Sequence, residues 1–385
     1  MDFSYPPETE RFRTELRTWL AANLSGKVIE SSARRGTDDA AFETLRTWDA
    51  TMADAGWAAM ALPAEYGGRG AGVLEQLVYV EETTRTRVPL PLNIIGLNNI
   101  APAILHYGTE EQKSGLLRRM IRADDIWCQG MSEPDAGSDL ASLRTKAVRA
   151  GDDYIISGQK IWTSLGHRAD WCQLYARTDP QAPKHCGITC FLVDMSSPGI
   201  ETKPLVTLNG DADFAEIFFD EARVPAAAIL GPLDGGWQVA TTTLSHERAG
   251  AARLYVEQQI LLEELIADLA AVEENGRRAL DDPVVLGRLG KLSVRITYLE
   301  ILCRRAVSAA AHGGDELRTA SLAKTVWGEV GQELADTAYD LLGDGGGNGR
   351  WARHRLAARS LTIAGGTTQI NKNVTAGRML GLPRS

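Results

Sequence analysis

Residues 127–143 read WCQGMSEPDAGSDLASL, and they mark the place where the hydrophobic pattern of the sequence changes. The stretch is a loop of small residues in which Pro134 and Gly137 stand among several short hydrogen-bonding side chains. Such a loop can bring backbone N–H groups and hydroxyls close to a planar polar ligand or to phosphates. An ordinary turn stabilised by Asp and Ser side chains would have the same composition, so the stretch alone leaves both interpretations open.

The segments on either side of this stretch differ in their hydrophobic period. Before it, apolar residues recur at helical spacing, as at Phe12, Leu16 and Leu20. After it, short runs rich in β-branched and aromatic residues alternate with turns, which predicts a small, mostly antiparallel β domain. The helical period then returns and persists to the C-terminus, as in a bundle of long antiparallel helices. The predicted organisation is mostly α-helical with a central β domain, in three parts: 1–121 (helical), 122–230 (β) and 231–385 (helical bundle).

Composition and charge exclude several classes of function. The 385 residues include 41 Lys and Arg against 50 Asp and Glu, so there is no basic excess to neutralise nucleic-acid phosphates. No run approaches the ~20 apolar residues that span a bilayer, and the start lacks the apolar core of a signal peptide. The five sparsely placed cysteines fit reduced thiols better than a metal site. We therefore expect a cytoplasmic protein without a metal, a nucleic-acid partner or a membrane span.

Several motifs, in order along the chain, resemble the acyl-CoA dehydrogenase family. They are PAEYGG (63–68), MSEPDAGSDLAS (131–142), GQKIWTS (158–164), TIAGGTTQINKN (362–373) and RMLGLPR (378–384). The resemblance covers essentially the whole chain. It implies an N-terminal α domain, a central antiparallel β barrel or sandwich and a C-terminal four-helix bundle. It also implies FAD as cofactor, an acyl-CoA substrate, an electron-transfer flavoprotein as acceptor, and a homo- or hetero-oligomer, dimeric or tetrameric.

The resemblance assigns FAD contacts position by position. Gln129, Met131 and Ser132 correspond to a strand that contacts the isoalloxazine ring, although some members have an aromatic residue in place of Gln129. Trp162 would lie against the flavin, a buried strand aromatic being the alternative. The other assigned residues are Thr163 and Ser164 behind the ring, Gly137 and Ser138 near the pyrophosphate or thioester, Asp340 and Gly343 at the adenosine end, and Thr367 and Gln369 at a helix N-terminus. The RxxFG-like segment that many members use on the pyrophosphate has no counterpart here.

The acid that removes the substrate α-proton is missing from its usual place. Many members carry it directly before Gly-Thr in the C-terminal motif, and the aligned residue here is Gly365, which offers only a backbone N–H to the thioester carbonyl. Isovaleryl-type members carry the base on the first long helix of the bundle, directly before an arginine. Glu247 and Arg248 occupy that position. The resemblance thus predicts that Glu247 abstracts the proton, that hydride passes to flavin N5 and that Arg248 serves the substrate; a solvated helix glutamate is the alternative for Glu247.

Two other functions fit the same residues. The missing acid at Gly365 would suit a non-catalytic or half-site partner subunit of a hetero-oligomeric acyl-CoA dehydrogenase. A flavoenzyme of the same fold could instead use oxygen or act on an acyl group linked to a carrier protein. The sequence does not select the acyl chain, since short, branched, steroid-derived and aromatic thioesters all fit.

Overall fold

The computed structural model describes residues 5–246, 251–274, 276–311, 316–344 and 346–383. The chain divides into two compact units. The first consists of Met1–Ala22, Gly72–Val88 and Gly250–Ser385, and the second of Asn23–Ala71 and Pro89–Ala249.

Helices account for most of the regular structure in the described residues. In chain order they are α1 (Pro7–Asn23), α2 (Gly26–Ser31), α3 (Asp39–Asp54), α4 (Val73–Arg85), α5 (Ala101–Tyr107), α6 (Glu110–Ile121), α7 (Gly236–His246), α8 (Ala251–Ala270), α9 (Pro283–Ala311), α10 (Glu316–Leu342), α11 (Arg350–Ala358) and α12 (Thr368–Met379). Thr109 caps α6, as its position before two acidic residues predicts, because its hydroxyl accepts from the Gln112 N–H at 3.2 Å.

The first unit is a helical bundle. Buried residues at three- and four-residue intervals on α8, α9 and α10 form its core, for example Leu265, Leu299 and Val330. Helix α4 adds Leu77 to this core, and α11 adds the fully buried Trp351. The helical periodicity of the C-terminal sequence is therefore expressed as packing of the long helices against one another.

The second unit contains an eight-stranded sheet, whose strands lie between α6 and α7 in the sequence. Its strands are β1 (Trp127–Gly130), β2 (Lys146–Ala150), β3 (Asp153–Ser164), β4 (Trp171–Arg177), β5 (Ile188–Asp194), β6 (Ile200–Leu205), β7 (Phe214–Pro225) and β8 (Ile229–Leu230). The order is β6-β7-β3-β2-β4-β5-β8, with β1 paired to β4. Most neighbours are antiparallel, as predicted, but β1 runs parallel to β4, and β2 pairs with β4 in parallel through Lys146 and Arg177. No tight turn joins either strand to β4, so nothing in the connections requires them to be antiparallel.

The sheet of the second unit separates two apolar layers. Alternate residues of β4 point to opposite faces. Cys172 and Leu174 belong to a cluster with Phe191 of β5, whereas Tyr175 belongs to a second cluster that includes Val239 of α7. Helix α7 therefore packs on the face of the sheet that carries the odd-numbered residues of β4.

Asp49 is a buried carboxyl group in the second unit. It lies on α3, is 8% exposed and accepts a hydrogen bond from the Leu92 N–H at 2.7 Å. Burial raises the pKa of Asp49 to about 7, against the lowering effects of that hydrogen bond and of Arg35. Because this folded-state pKa lies above the ordinary value of 3.8, the group contributes stability that is complete below about pH 4 and is lost as the pH rises through 7.

Replacing Asp49 by Asn should remove this pH dependence, because the amide keeps an accepting oxygen and cannot ionise. We expect the free energy of unfolding of the variant to gain on that of the wild type by about 1.4 kcal/mol per pH unit from about pH 4 to 7, and to level off above. Urea unfolding at a series of pH values measures this difference. The exposed Asp220, changed to Asn, is the control. A pH-independent difference for Asp49→Asn would contradict the assignment.

Candidate active site

A bulge in β3 turns Trp162 out of the sheet. The pairing of β3 with β7 shifts register between Lys160 and Thr163, and Trp162 has a left-handed φ of 61°. Such bulges re-aim one side chain of a strand. The indole is 58% exposed and meets the Phe214 ring edge-to-face at 6.0 Å. The alternative that Trp162 is a buried strand aromatic is therefore wrong.

The two β-domain segments that the sequence assigns to one ligand lie side by side. The Ile161 N–H donates to the Ser132 carbonyl at 2.9 Å, which joins 129–132 to 162–164. Thr163 is buried, and its hydroxyl has no hydrogen-bond partner among the described residues. A buried hydroxyl without a partner is uncommon unless a ligand or water satisfies it. Together with the exposed indole, this arrangement fits a flat aromatic ligand with polar edges.

A buried ion pair, Lys160–Glu133, holds these two segments in place. Lys160 is fully buried, and its Nζ donates to Glu133 Oε1 at 2.8 Å and to the Met131 carbonyl at 3.0 Å. Glu133 also accepts from the backbone N–H groups of Arg144 and Thr145, at 2.6 and 2.9 Å. Burial by itself would raise the pKa of Glu133, but Lys160 and these donors outweigh it and hold the pKa below its ordinary value.

Identical tripeptides pair in the parallel ladder of β1 and β4. Trp127, Cys128 and Gln129 lie opposite Trp171, Cys172 and Gln173 respectively. The two tryptophan rings stack at 5.5 Å. The Gln129 Nε2 donates to Gln173 Oε1 at 2.9 Å. Gln129, which the sequence assigns to the ligand, is thus anchored by the neighbouring strand.

The anchoring continues from β4 to α7. The Gln173 Nε2 lies 3.4 Å from Thr243 Oγ1 of α7, which in turn lies 3.1 Å from the hydroxyl of Tyr175. Gln173, Thr243 and Tyr175 are fully buried. The sequence analysis assigned no role to them, nor to Lys160 and Glu133.

The loop that follows β1 leaves its tip accessible. Glu133 and Ala136 exchange backbone hydrogen bonds, both of 3.0 Å, and so close a tight turn. Gly137 and Ser138 follow this turn and are exposed, and no atom would lie within 4 Å of a Cβ at Gly137. Both residues are therefore open to a ligand, as their assignment requires.

In the first unit, Gly365 and Gly366 form a turn before α12. Their φ angles are 67° and 86°, in the left-handed region that favours glycine. The Asn371 side chain, which is buried, donates to the carbonyls of Gly366 and Thr367 at 2.8 and 3.1 Å. Thr367 caps α12 because its hydroxyl accepts from the Ile370 N–H at 3.2 Å, so Thr367 and Gln369 lie at a helix N-terminus, as expected. Gly365 and Gln369 are both exposed.

The end of α10 carries two more assigned residues. Asp340 forms an ion pair with Arg288 of α9 at 2.9 Å. Gly343 follows α10 with a φ of 68°, and α11 begins at Arg350. Asp340 and Gly343 thus lie close together in the first unit.

Glu247 and Arg248 lie outside the described residues. Helix α7 ends at His246, and α8 begins at Ala251. The hydrophobic period of residues 246–274 predicts one long helix, and α8 accounts for Ala251–Ala270 of it. His246 ends α7, and Glu273–Glu274 form a short strand instead.

Sequence profiles of one family match almost the whole chain. The acyl-CoA dehydrogenase N-terminal, middle and C-terminal domains match residues 6–124, 128–222 and 234–380. The chain belongs to the acyl-CoA dehydrogenase family. It is an oxidoreductase, and FAD, the cofactor of this family, is its cofactor. The predicted family, fold and cofactor are thereby confirmed.

Individual relatives agree with this assignment. The acyl-CoA dehydrogenase IpdE1 of Mycobacterium tuberculosis is 35% identical over 98% of both chains. FadE34 of the same organism is 43% identical over 86% of this chain, which spans 46% of FadE34. Among solved structures, the Tcur3481–Tcur3483 steroid ACAD is 31% identical with a TM-score of 0.88. The ChsE4–ChsE5 complex from Mycobacterium tuberculosis is 32% identical with a TM-score of 0.87, and this chain and each of the two solved chains are covered completely.

The residues at the C-terminal end of β3 fit FAD. An isoalloxazine ring is flat and aromatic with polar edges, and the exposed indole of Trp162 and the unpartnered hydroxyl of Thr163 match these two properties. No helix in the described ranges is long and apolar enough to cross a membrane. Within the same ranges, no group of three His, Cys, Asp or Glu side chains could hold a metal ion.

Proposed function

We propose that this protein is an FAD-dependent dehydrogenase that forms an α,β double bond in an acyl-CoA thioester, with Glu247 as the base. The observation that carries the choice of base is the geometry of Gly365. Its backbone has a left-handed φ of 67°, and a side chain there would be strained. An acid at this position is therefore absent from the sequence and disfavoured by the backbone. Glu247, in the alternative place of the family, is the remaining candidate.

The residues of the chain divide the work of the reaction. The Gly365 N–H would donate to the thioester carbonyl, which makes the α-hydrogen of the substrate more acidic. The Glu247 carboxylate would accept that proton, and a pocket poor in water would raise its pKa toward that of a useful base. Arg248 would balance charge at the substrate. FAD, when bound, supplies the acceptor for the hydride that leaves the β-carbon.

FAD would be held mainly by residues of the second unit. We propose Gln129, Met131, Ser132, Trp162, Thr163 and Ser164 as contacts of the ring system, and Gly137 and Ser138 near the pyrophosphate or thioester. Thr367, Gln369, Asp340 and Gly343 of the first unit are proposed as further FAD contacts. Trp162 and Thr163 carry most of this proposal, since exposure of the one and the unpartnered oxygen of the other call for a ligand.

We propose a steroid-derived acyl chain and a hetero-oligomeric assembly. One similar structure is a steroid ACAD, and both similar structures are named for two chains. This chain would then be the subunit that carries the base, paired with a different chain of the same family. An electron-transfer flavoprotein is the proposed electron acceptor.

An anaerobic bleaching assay tests the proposed function. The purified oligomer should show the absorption of oxidised flavin, and a CoA thioester with a steroid-derived acyl chain should bleach it. Isovaleryl-CoA and octanoyl-CoA serve as the comparison substrates. Bleaching by these two but not by the steroid thioester would refute the substrate class. Absence of bleaching by any thioester would refute the dehydrogenase, and rapid reoxidation in air would favour an oxidase.

A further inference from the structure

We propose that Gln173 and Thr243 are positioning residues that hold the Gln129 amide toward FAD, through a continuous hydrogen-bond chain that ends on α7. The inference rests on the proposed function, because it takes Gln129 as an FAD contact. It adds two residues that no family motif assigns and that lie one and two hydrogen bonds away from Gln129.

Two hydrogen bonds link Gln129 to α7. Gln129 donates through Nε2 to Gln173 Oε1 at 2.9 Å, and Gln173 donates through its own Nε2 to Thr243 Oγ1 at 3.4 Å. Thr243 Oγ1 also lies 3.1 Å from the Tyr175 hydroxyl, and either of these two hydroxyls can donate to the other. Gln173, Thr243 and Tyr175 each have a hydrogen-bond partner in this buried layer.

The hydrogen bond to Gln173 determines which polar atoms of the Gln129 amide remain for a ligand. Its Nε2 is engaged by Gln173, and no hydrogen bond from the described residues reaches its Oε1. The Gln129 Oε1 is therefore left for a ligand as a carbonyl acceptor, beside the second N–H of Nε2. The isoalloxazine ring carries an N–H in its pyrimidine portion, and an acceptor is what such a donor requires. Without Gln173, the Gln129 amide could rotate and present its NH₂ instead.

Packing alone does not explain a glutamine at position 173. It is fully buried between the sheet and α7, in a layer that includes Tyr175, Leu192 and Val239. A buried amide costs free energy unless its donors and acceptor are bonded, and a leucine of similar volume would suit this layer. A role in stability therefore does not account for the amide, whereas a role in orienting Gln129 does.

The far end of the chain lies close in sequence to the proposed base. Thr243 is in the last turns of α7, and Glu247 follows four residues later. The same bonds that orient Gln129 thus also fix α7 against β4.

Flavin binding and stability, measured side by side, test the proposal. Apoprotein of the purified oligomer is titrated with FAD, and the absorption spectrum of the bound flavin is recorded. Gln129→Leu, Gln173→Leu and Thr243→Val should each raise the Kd for FAD roughly tenfold and shift the flavin absorption bands. Each change leaves a buried polar neighbour without its partner, so the melting temperature of the apoproteins should fall modestly. The shift of the flavin absorption bands is the readout that a merely structural role would not give. Tyr107→Phe is the matched control. It removes a 3.1 Å hydrogen bond to Thr242, the neighbour of Thr243, and leaves the hydrogen bonds between Gln129, Gln173 and Thr243 in place.

A double variant separates action through Gln129 from an independent effect. If Gln173 acts through Gln129, Gln129→Leu combined with Gln173→Leu should bind FAD no more weakly than Gln129→Leu alone. Two outcomes would overturn the inference and leave the proposed function intact. The first is that the losses of FAD affinity in the double variant are fully additive. The second is that Gln173→Leu and Thr243→Val keep the wild-type Kd for FAD while Gln129→Leu binds FAD more weakly. A lower melting temperature with normal FAD binding would also overturn it. Wild-type protein that binds no FAD would refute both.

Discussion

Glu247→Gln is expected to lower the turnover of the acyl-CoA substrate by about a thousandfold while FAD remains bound. Glutamine has nearly the same shape as glutamate but cannot accept the α-proton, and loss of a positioned general base typically costs about 10² to 10⁴ in rate. The measurement is the anaerobic rate of flavin bleaching, with the flavin-to-protein ratio recorded for each variant. The loss should appear in kcat, because the binding of the thioester is largely retained.

The control for this variant is Glu257→Gln on α8. Glu257 pairs with Arg253 on the same helix, and no catalytic role is proposed for it. Its removal should leave the bleaching rate within about twofold of the wild type, as expected for a partly exposed pair. Normal bleaching in Glu247→Gln would show that the base is another residue. Loss of flavin from Glu247→Gln would mean that Glu247 has a structural role in the FAD site.

Lys160→Met is expected to produce the largest loss of stability among the variants considered. It leaves the Glu133 carboxylate buried without its partner, and breaking one half of a buried ion pair typically costs about 3 to 5 kcal/mol. The Arg144 and Thr145 N–H groups still hold the Glu133 carboxyl group in its buried place. Because burial without a cation favours the neutral form, we expect Glu133 to become protonated there and not to move out to solvent. Urea unfolding, or thermal unfolding of the apoprotein, measures the loss.

Two further variants separate charge from packing in this result. Glu133→Gln combined with Lys160→Met removes both charges and should recover a large part of the lost stability. Lys203→Met removes a lysine from an exposed pair with Glu201 and should change the free energy of unfolding by less than about 1 kcal/mol. Equal losses for Lys160→Met and Lys203→Met would contradict the account of Lys160.

Much of the architecture could be predicted from the sequence. The hydrophobic period distinguishes α6, α8 and α10 from the strands, and Thr109 marks the start of α6. Periodicity depends on local residues, which is why it predicts the type of an element well. Family motifs then placed the assigned residues 129–132 and 162–164, which the structure brings together through Ile161 and Ser132.

The supporting contacts of the site could not be predicted in this way. Lys160 meets Glu133 because of the order and register of the strands, and hydrophobic alternation does not specify which strands are neighbours. A lysine on the buried side of β3, in line with Tyr154 and Ile156, is nonetheless a signal of a buried partner. The repeated WCQ at 127–129 and 171–173 was a second signal, since identical tripeptides in one sheet can pair in register. Its meaning depended on a parallel pairing that the prediction of antiparallel strands did not include.

The parallel pairing of β1 with β4 constrains the order in which the chain can fold. The antiparallel pair β2–β3 joins residues close in sequence, such as Ala150 and Asp153, whereas Gln129 pairs with Gln173, which lies 44 positions further along the chain. Contacts between distant residues form more slowly, because the loop between them must first be closed. During synthesis, β1 is made before its partner strand. The strand that is proposed to contact the flavin therefore depends on a long-range pairing, and capture of the cofactor at this surface would follow the assembly of the sheet.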